Sequence, residues 1–386
     1  MRIAMLIYQY FPYGGQQRDF LRILQRCLAA GHQVDVYCLK WQGDVPEGTD
    51  VHLVPVSALA SHVVYQRYNE WVTAALRRDP VDLVLGFSKM PGLDVYYAAD
   101  PCFAARMHRE KRRLTRLLPR YQHFARYEAS VFDENSTTRV MVLSPQQIND
   151  FSRFYPGCES RLQLLPPGIS LDRLPGPDAQ EIRRQFREEF NLADDEHAVL
   201  QVGSGFRVKG LDRAIRALAK LPEKVRRKTR FLIVGQGRAA KYERLARRLG
   251  VAAQCQFLGG RDDVPRFMLG SDLLLHPAHH ESAGYTLLEA VINGLPVLTT
   301  DTCGYAFHVS KAGAGQVCPS PFRQKDLNSR LHEMLISSDR ANWQRNGLGY
   351  AEKIDLSGMA DTVLAVLEEV AVQKDQRLSP MLKVGT

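Results

Sequence analysis

Two glutamates, Glu281 and Glu289, stand eight residues apart around a Ser282-Ala283-Gly284 turn, between an apolar run ending at Leu275 and the pair Leu287-Leu288. Two carboxylates can share the breaking of a glycosidic bond only when they lie about 5 to 9.5 Å apart. If the interval is mostly helical, a rise of about 1.5 Å per residue separates these two by about 12 Å. That spacing suits the two ends of an elongated ligand, with the amides of Ser282, Ala283, Gly284, Tyr285 and Thr286 and a helix N-terminus facing an anion in between. A nucleoside diphosphate sugar has such a form: sugar, diphosphate, ribose. The plainer alternative makes Glu281 an N-terminal helix charge and Glu289 a solvated helical residue.

Other loops carry groups that suit the same ligand. Gly203-Ser204-Gly205-Phe206-Arg207-Val208-Lys209-Gly210 is a glycine-bearing loop whose cations Arg207 and Lys209 can grip a diphosphate; a glycine turn with surface charges is the alternative. Val234-Gly235-Gln236-Gly237 lacks the GxGxxG fingerprint of a dinucleotide site, and is read as backbone lining. Near the N-terminus Gly14 and Gly15 allow backbone to approach a ligand, and Asp19 either faces that ligand or caps the first helix. Asp100, beside Pro101 after an apolar run, is a carboxylate that could carry chemistry, with a surface turn as the favoured alternative.

Parallel strands alternating with helices would position these loops. Apolar runs at Ile3 to Tyr8, Gln33 to Leu39, Leu83 to Gly86 and Val140 to Leu143 predict strands, with a helix over Asp19 to Ala30. The pattern restarts after Leu165-Pro166-Pro167-Gly168. Strands are predicted at 198–202, 231–234, 256–258, 272–275 and 296–299, and helices at 211–220, 241–249 and 287–293. Two doubly wound halves result, whose ligands should lie beyond the C-terminal strand ends. The tail after Val372 reads as frayed and polar. The 386 residues suffice for two cores, and the seven cysteines contain no CxxC pair, against a disulfide framework or structural zinc. No apolar run approaches the roughly 20 residues needed to span a bilayer.

The net charge of +9 points to an anionic partner, and eight Lys/Arg against the single acid Glu110 fall between Arg106 and Arg126. Leu114, Leu117, Leu118 and Tyr121 add an apolar component at helical spacing, which Pro119 should interrupt or bend. The segment 106–126 reads as interfacial, drawn to an anionic membrane surface, with a solvated surface helix as the alternative. Nucleic acid is not expected as a partner, since zinc-finger, RNP-type and basic-zipper patterns are missing from the sequence.

Together these residues resemble the retaining GT-B glycosyltransferases of family 4, in which a Glu-x7-Glu element follows a proline-ended strand and precedes a helix closing in Gly-x-Pro-Val. Here that runs from Pro277 through Glu281 and Glu289 to Gly294-Leu295-Pro296-Val297. Longer strings narrow the resemblance to lipopolysaccharide core glucosyltransferases that act on an inner-core heptose. They include Tyr10-Phe11-Pro12, Gln17-Arg18-Asp19-Phe20, Lys89-Met90-Pro91-Gly92-Leu93-Asp94-Val95-Tyr96, Leu165-Pro166-Pro167-Gly168-Ile169 and Cys303-Gly304-Tyr305.

The resemblance implies an α/β fold of two Rossmann-like domains facing across a cleft: residues 1–166 for the acceptor, 167–355 for a UDP-sugar, and a C-terminal helix within 356–386 packing back on the first. It implies that Glu289 holds the ribose hydroxyls, Glu281 the transferred sugar, and Lys209 the diphosphate with the Ala283 and Gly284 backbone. Arg173 would approach the phosphates, the Gly260-Arg261-Asp262-Asp263-Val264 loop would cradle uracil, and Gly15 would reach the donor from the first domain. Asp100, with Gly14 and Asp19, would face a lipopolysaccharide inner-core acceptor; many family members have histidine where Asp100 falls. The expectation is a metal-independent hexosyltransferase, peripheral on the cytoplasmic face of the inner membrane. A transferase for another surface glycan, or a silent nucleotide-sugar binder, is the alternative.

Overall fold

Among the described residues, nine short strands fall before residue 165: β1 (Arg2–Leu6), β2 (Gln9–Tyr10), β3 (Gln33–Cys38), β4 (Lys40–Trp41), β5 (Thr49–Leu53), β6 (Leu83–Gly86), β7 (Val95–Ala98), β8 (Arg139–Val142) and β9 (Leu162–Leu164). In the computed structural model, which describes residues 1–12, 14–109 and 116–382 and side chains through Gln376, seven of them form one parallel sheet in the order β5-β3-β1-β6-β7-β8-β9. β2 and β4 form a separate parallel pair. Helices cover both faces, so the central strands are apolar on both sides: Ile3, Ala4 and Met5 of β1 and Val95, Tyr96, Tyr97 and Ala98 of β7 are fully buried. The strand order reverses between β1 and β6, and the loops leaving those two strands are where a ligand finds a crevice.

A second sheet is built from β10 (His197–Val202), β11 (Thr229–Val234), β12 (Cys255–Gly259), β13 (Leu273–His276), β14 (Val297–Thr300) and β15 (Gly315–Cys318), all parallel, in the order β12-β11-β10-β13-β14-β15. Its switch point lies between β10 and β13. The two compact units are Met1–Gly168 together with the chain from Ser357 onward, and Ile169–Leu356, against expected boundaries after 166 and 355.

Several expectations need correction. The first helix is Gly15–Ala29, one turn earlier than predicted, because Gly14 supplies an extended N-cap (φ −85°, ψ 146°). Asp19 is therefore inside the helix and does not cap it. Of the two effects expected of Pro119 the structure shows interruption: it opens a new helix, Pro119–Phe132, at the position where its missing N–H costs nothing. The apolar stripe thus breaks, with Leu117 and Leu118 ahead of that helix and exposed; Leu114 lies outside the described residues, as do Lys111, Arg112 and Arg113. The C-terminal segment is not frayed at Val372 but helical over Met359–Leu382. Lys374 holds it down by pairing with Asp94 at 2.9 Å and donating to the Asp82 carbonyl at 2.9 Å.

Candidate active site

The loops leaving β10 and β13 come together at the switch point of the second sheet, and glycines let them do so. Gly210 has φ +70°, and a Cβ there would overlap the Pro277 carbonyl oxygen, so only glycine lets the two loops touch. The His279 amide donates to the Val208 carbonyl at 2.8 Å, and Arg213 donates to the carbonyls of Pro277 (3.3 Å) and Ala278 (3.0 Å). Gln201 on β10 donates to the Lys209 carbonyl at 2.7 Å. The backbone is fixed on both sides of Lys209, and its ammonium lands on Glu281.

Glu281 is 17% exposed and accepts from three side chains: Lys209, His276 Nε2 at 2.8 Å, and the Cys303 thiol at 3.6 Å. Burial by itself raises a carboxyl pKa, but the Lys209 charge and the His276 hydrogen bond outweigh it and hold Glu281 well below the ordinary range. It is an anion fixed in place. Its backbone is stitched as firmly, since Glu281 N donates to Thr302 O at 3.0 Å and Gly304 N donates back to Glu281 O at 2.9 Å. His276 and Cys303 did not stand out in the sequence, the first as the end of a strand and the second as one scattered cysteine; only the Cys303-Gly304-Tyr305 string hinted at the latter.

His276, Glu281 and Cys303 converge closely enough to be tested as a metal site. In this structure the three are joined by hydrogen bonds, and Lys209 pairs with the Glu281 carboxylate that a metal would also need.

Glu281 is not a helix charge: it sits on an isolated parallel bridge to Cys303, and the helix begins only at Tyr285. Half of the interval to Glu289 is therefore turn, and the 12 Å helical spacing does not apply. Gly284 makes the turn with φ +96°, where a Cβ would also overlap the Cys303 sulfur. Among the described residues, the amides of Ser282, Ala283, Gly284 and Thr286 make no backbone hydrogen bond, so donors point outward at the N-terminus of the Tyr285–Ile292 helix. Tyr285 packs edge to face on Tyr305. Glu289, on the same helix, is 9% exposed, and its carboxylate has no protein partner among the described residues.

The neighbouring strand ends supply mainly backbone. Val234 is core, Gly235 (φ +146°) packs on the Gly203 carbonyl, and Gly235 N donates to Gly259 O at 2.7 Å, so the loops after β10, β11 and β12 form one layer. In the next loop Gly260 lies against Gln236, Arg261 is paired with Asp263 at 2.8 Å, and Val264 opens a helix. Arg207 does not join Lys209 on Glu281; it lines a groove with His279. Arg173 has its carbonyl held by Asn293 at 2.8 Å, at the far end of the Tyr285–Ile292 helix from the outward amides.

In the first unit, Asp100 is partly buried on the loop after β7. Burial raises its pKa, Lys89 and Arg106 oppose the shift, and Glu128 adds to it. Glu128 is fully buried and anchors that loop: it accepts from Lys89 (2.6 Å), Phe103 N (2.6 Å), Ala104 N (2.9 Å) and Tyr155 (3.0 Å). Burial pushes Glu128 up, but the Lys89 charge and these hydrogen bonds bring it below its ordinary value. Asp19 is buried and accepts from Tyr97 at 2.8 Å, Gly14 is the helix N-cap, and a Cβ on Gly15 would meet open space. Of the basic segment, Leu117 and Leu118 are 75% and 54% exposed between Arg116 and Arg120. No helix among the described residues is long and apolar enough to cross a membrane.

This geometry has known counterparts. Residues 13–173 match the profile described as Glycosyltransferase Family 4, and residues 182–349 the one described as Glycosyl transferases group 1. The chain is 43% identical over 368 residues to the lipopolysaccharide glucosyltransferase WaaG of Escherichia coli (strain K12), covering 95% of this chain and 98% of that protein. The crystal structure of WaaG, described as a glycosyltransferase involved in lipopolysaccharide biosynthesis, superposes with a TM-score of 0.88 at 43% identity over 95% of this chain and 99% of that one. Anabaena Alr3699/HepE, solved with UDP and glucose, shares the fold at 18% identity and TM-score 0.71, over 96% of this chain and 100% of that one. With its two parallel α/β units and a full-length relative at this identity, the chain belongs to the GT-B glycosyltransferases of family 4.

Proposed function

We propose that this glycosyltransferase moves a hexose or N-acetylhexosamine from a UDP-sugar to an inner-core heptose of lipopolysaccharide, with retention of configuration and without a metal. The observation that carries the reading is the full-length 43% identity to a lipopolysaccharide glucosyltransferase, and the Lys209–Glu281 cluster supplies the chemistry. Glu281 accepts hydrogen bonds from the transferred sugar's hydroxyls, and Glu289 from the ribose. The diphosphate lies against the outward amides of 282–286 and Lys209, whose fixed charge and dipoles stabilise the negative charge that grows as the anomeric C–O bond breaks. Uracil rests on the 260–264 backbone, and Arg173 reaches toward the phosphates.

The acceptor hydroxyl attacks the anomeric carbon on the face the diphosphate leaves, through an oxocarbenium-like transition state. Its proton passes to the departing phosphate oxygen. Asp100, mounted on the Lys89–Glu128 anchor, orients the acceptor hydroxyl. The enzyme works on the cytoplasmic face of the inner membrane, held there by the 106–126 segment, a reading that the exposed Leu117 and Leu118 beside Arg116 and Arg120 support.

Turnover of a panel of UDP-sugars on a heptosylated acceptor, by wild type and by Glu281→Ala, tests the reading. Transfer by the wild type and loss in the variant are expected; equal background release from both would leave only a nucleotide-sugar binder. Reversing Arg112, Arg113 and Arg116 to Glu should abolish pelleting with anionic vesicles, and unchanged pelleting would reject the membrane segment.

A further inference from the structure

In the second unit, a groove of about 500 Å³ separates from the cluster around Glu281 and runs between two helices, Leu211–Leu218 and Ala240–Arg248. Its lining follows helical spacing. Asp212 and Arg216 are four apart on one helix; Lys241, Arg244, Leu245 and Arg248 form a single stripe on the other. Arg207 and His279 close the end of the groove nearest the sheet's C-terminal edge, and Tyr242, buried against Phe206, makes part of its floor.

Five cations therefore face one another: Arg207, Arg216, Lys241, Arg244 and Arg248. The single carboxylate in the lining, Asp212, is taken by His279 at 3.2 Å. Among the described residues none of the five has a carboxylate within ion-pair distance. Exposed cations elsewhere in the same unit are commonly paired, Arg184 with Glu181 and Glu188, Arg227 with Glu223, Lys228 with Asp195 and Arg266 with Glu189. Unpaired like charges across a groove repel, and a multiply charged anion relieves that repulsion while the guanidinium groups match phosphate oxygens in pairs.

We infer that this groove is a second anion site, distinct from the donor site, for a ligand bearing a diphosphate or two neighbouring phosphates. Both a soluble diphosphate and a phosphorylated lipid headgroup have this chemistry. Arg207 and His279 stand two residues before Lys209 and Glu281, and the 2.8 Å bond from His279 N to Val208 O ties them together, so the site adjoins the donor loops without sharing Lys209 or Glu281.

The test uses the full chain with UDP at saturation to occupy the donor site, and inorganic pyrophosphate titrated calorimetrically at constant ionic strength. Wild type should bind one pyrophosphate, and Arg216→Glu/Arg244→Glu should bind it at least about tenfold more weakly; Arg216→Gln/Arg244→Gln, a milder change, should shift it in the same direction. UDP affinity and donor turnover should stay at wild-type values in both. The second arm pellets wild type and the Glu variant with vesicles of phosphatidylcholine containing cardiolipin, whose headgroup carries two phosphates, or of phosphatidylcholine alone. Loss of pyrophosphate binding identifies the free diphosphate as ligand; a fall confined to cardiolipin pelleting identifies the lipid headgroup. Either result supports the site, and a variant equal to wild type in both arms overturns it.

Discussion

Lys209→Met would leave Glu281 as an anion held only by a histidine and a thiol. Breaking a buried ion pair from one side costs about 3–5 kcal/mol, because the remaining charge stays desolvated. Both partners here are 17% exposed, so some water reaches the carboxylate, and about 2–4 kcal/mol is the better expectation. In a unit spanning Ile169–Leu356, about 3 kcal/mol lowers the melting temperature by about 6–12 °C. Adding Glu281→Gln to Lys209→Met removes the stranded charge and keeps the shape. The double variant should therefore be more stable than Lys209→Met alone, a coupling of opposite sign to simple addition.

Thermal unfolding of the four proteins of that cycle, read with UDP-sugar turnover, decides the matter. Stability should recover in the double variant while turnover stays at least about a hundredfold down, since a donor-side cation and a sugar-side carboxylate are both gone. If Lys209→Met melts with wild type, the ion pair is not what holds Glu281. If the double variant regains turnover, the pair is scaffolding and the donor contacts lie elsewhere.

Gly284→Ala should cost at least about 2 kcal/mol, because φ +96° is strained for any side chain and the new methyl meets the Cys303 sulfur; chemical denaturation measures it, and a neutral result would mean the turn is wrongly drawn. Glu289→Gln should weaken UDP binding by about tenfold to a hundredfold, the range for losing a charged hydrogen-bond partner, with calorimetry as the readout and unchanged affinity as the refutation. Burial lowers His123 and His308 from 6.5 to about 4, helped by His62 and Arg126 at the first and Lys311 at the second. In that interval the unfolded chain binds more protons than the folded one. Stability is therefore unaffected by these histidines above about pH 6.5 and falls as pH drops toward about 4, because each must be charged in a buried site, by up to about 3 kcal/mol apiece. Among the described residues both His123 ring nitrogens are without hydrogen-bond partners, so His123→Phe should flatten the acid slope with no loss at pH 7.5; an unchanged slope in urea unfolding at pH 7.5 and 5 would contradict this.

How much of this was legible depended on whether the signal was local. The strands at β1, β6, β11 and β13 showed as apolar runs because they lie inside their sheets and are buried, while β5 mixes Asp50 and His52 into a partly exposed edge and did not. Gly284 and Gly210 were visible as glycines in the right loops, but which backbone each had to admit, the Cys303 side chain or the Pro277 carbonyl, follows only from the packing. The helical ruler between Glu281 and Glu289 failed for a local reason: a turn made by Gly284 delays the helix to Tyr285. Lys209 and Glu281 are 72 residues apart, and neither loop's composition says they touch. What joins them is the reversal of strand order between β10 and β13, a property of the whole sheet.

That junction also changes what the two charges do. Read separately, Lys209 belonged to the diphosphate and Glu281 to the sugar; in the folded chain each is the other's partner. Free enzyme thus carries no stranded charge at the switch point, and His276 and Cys303 keep the carboxylate in position while Lys209 shares it. A donor that places a hydroxyl on Glu281 and a phosphate beside Lys209 replaces one internal ion pair by two charge-assisted contacts to the same ligand, spanning the bond that breaks. On that arrangement, a ligand with both groups at that separation would make the exchange most favourable. On the donor arrangement proposed above, a free hexose would offer no phosphate to draw Lys209 and UDP no sugar hydroxyl to Glu281, so the pair would favour the intact nucleotide sugar over either of its halves.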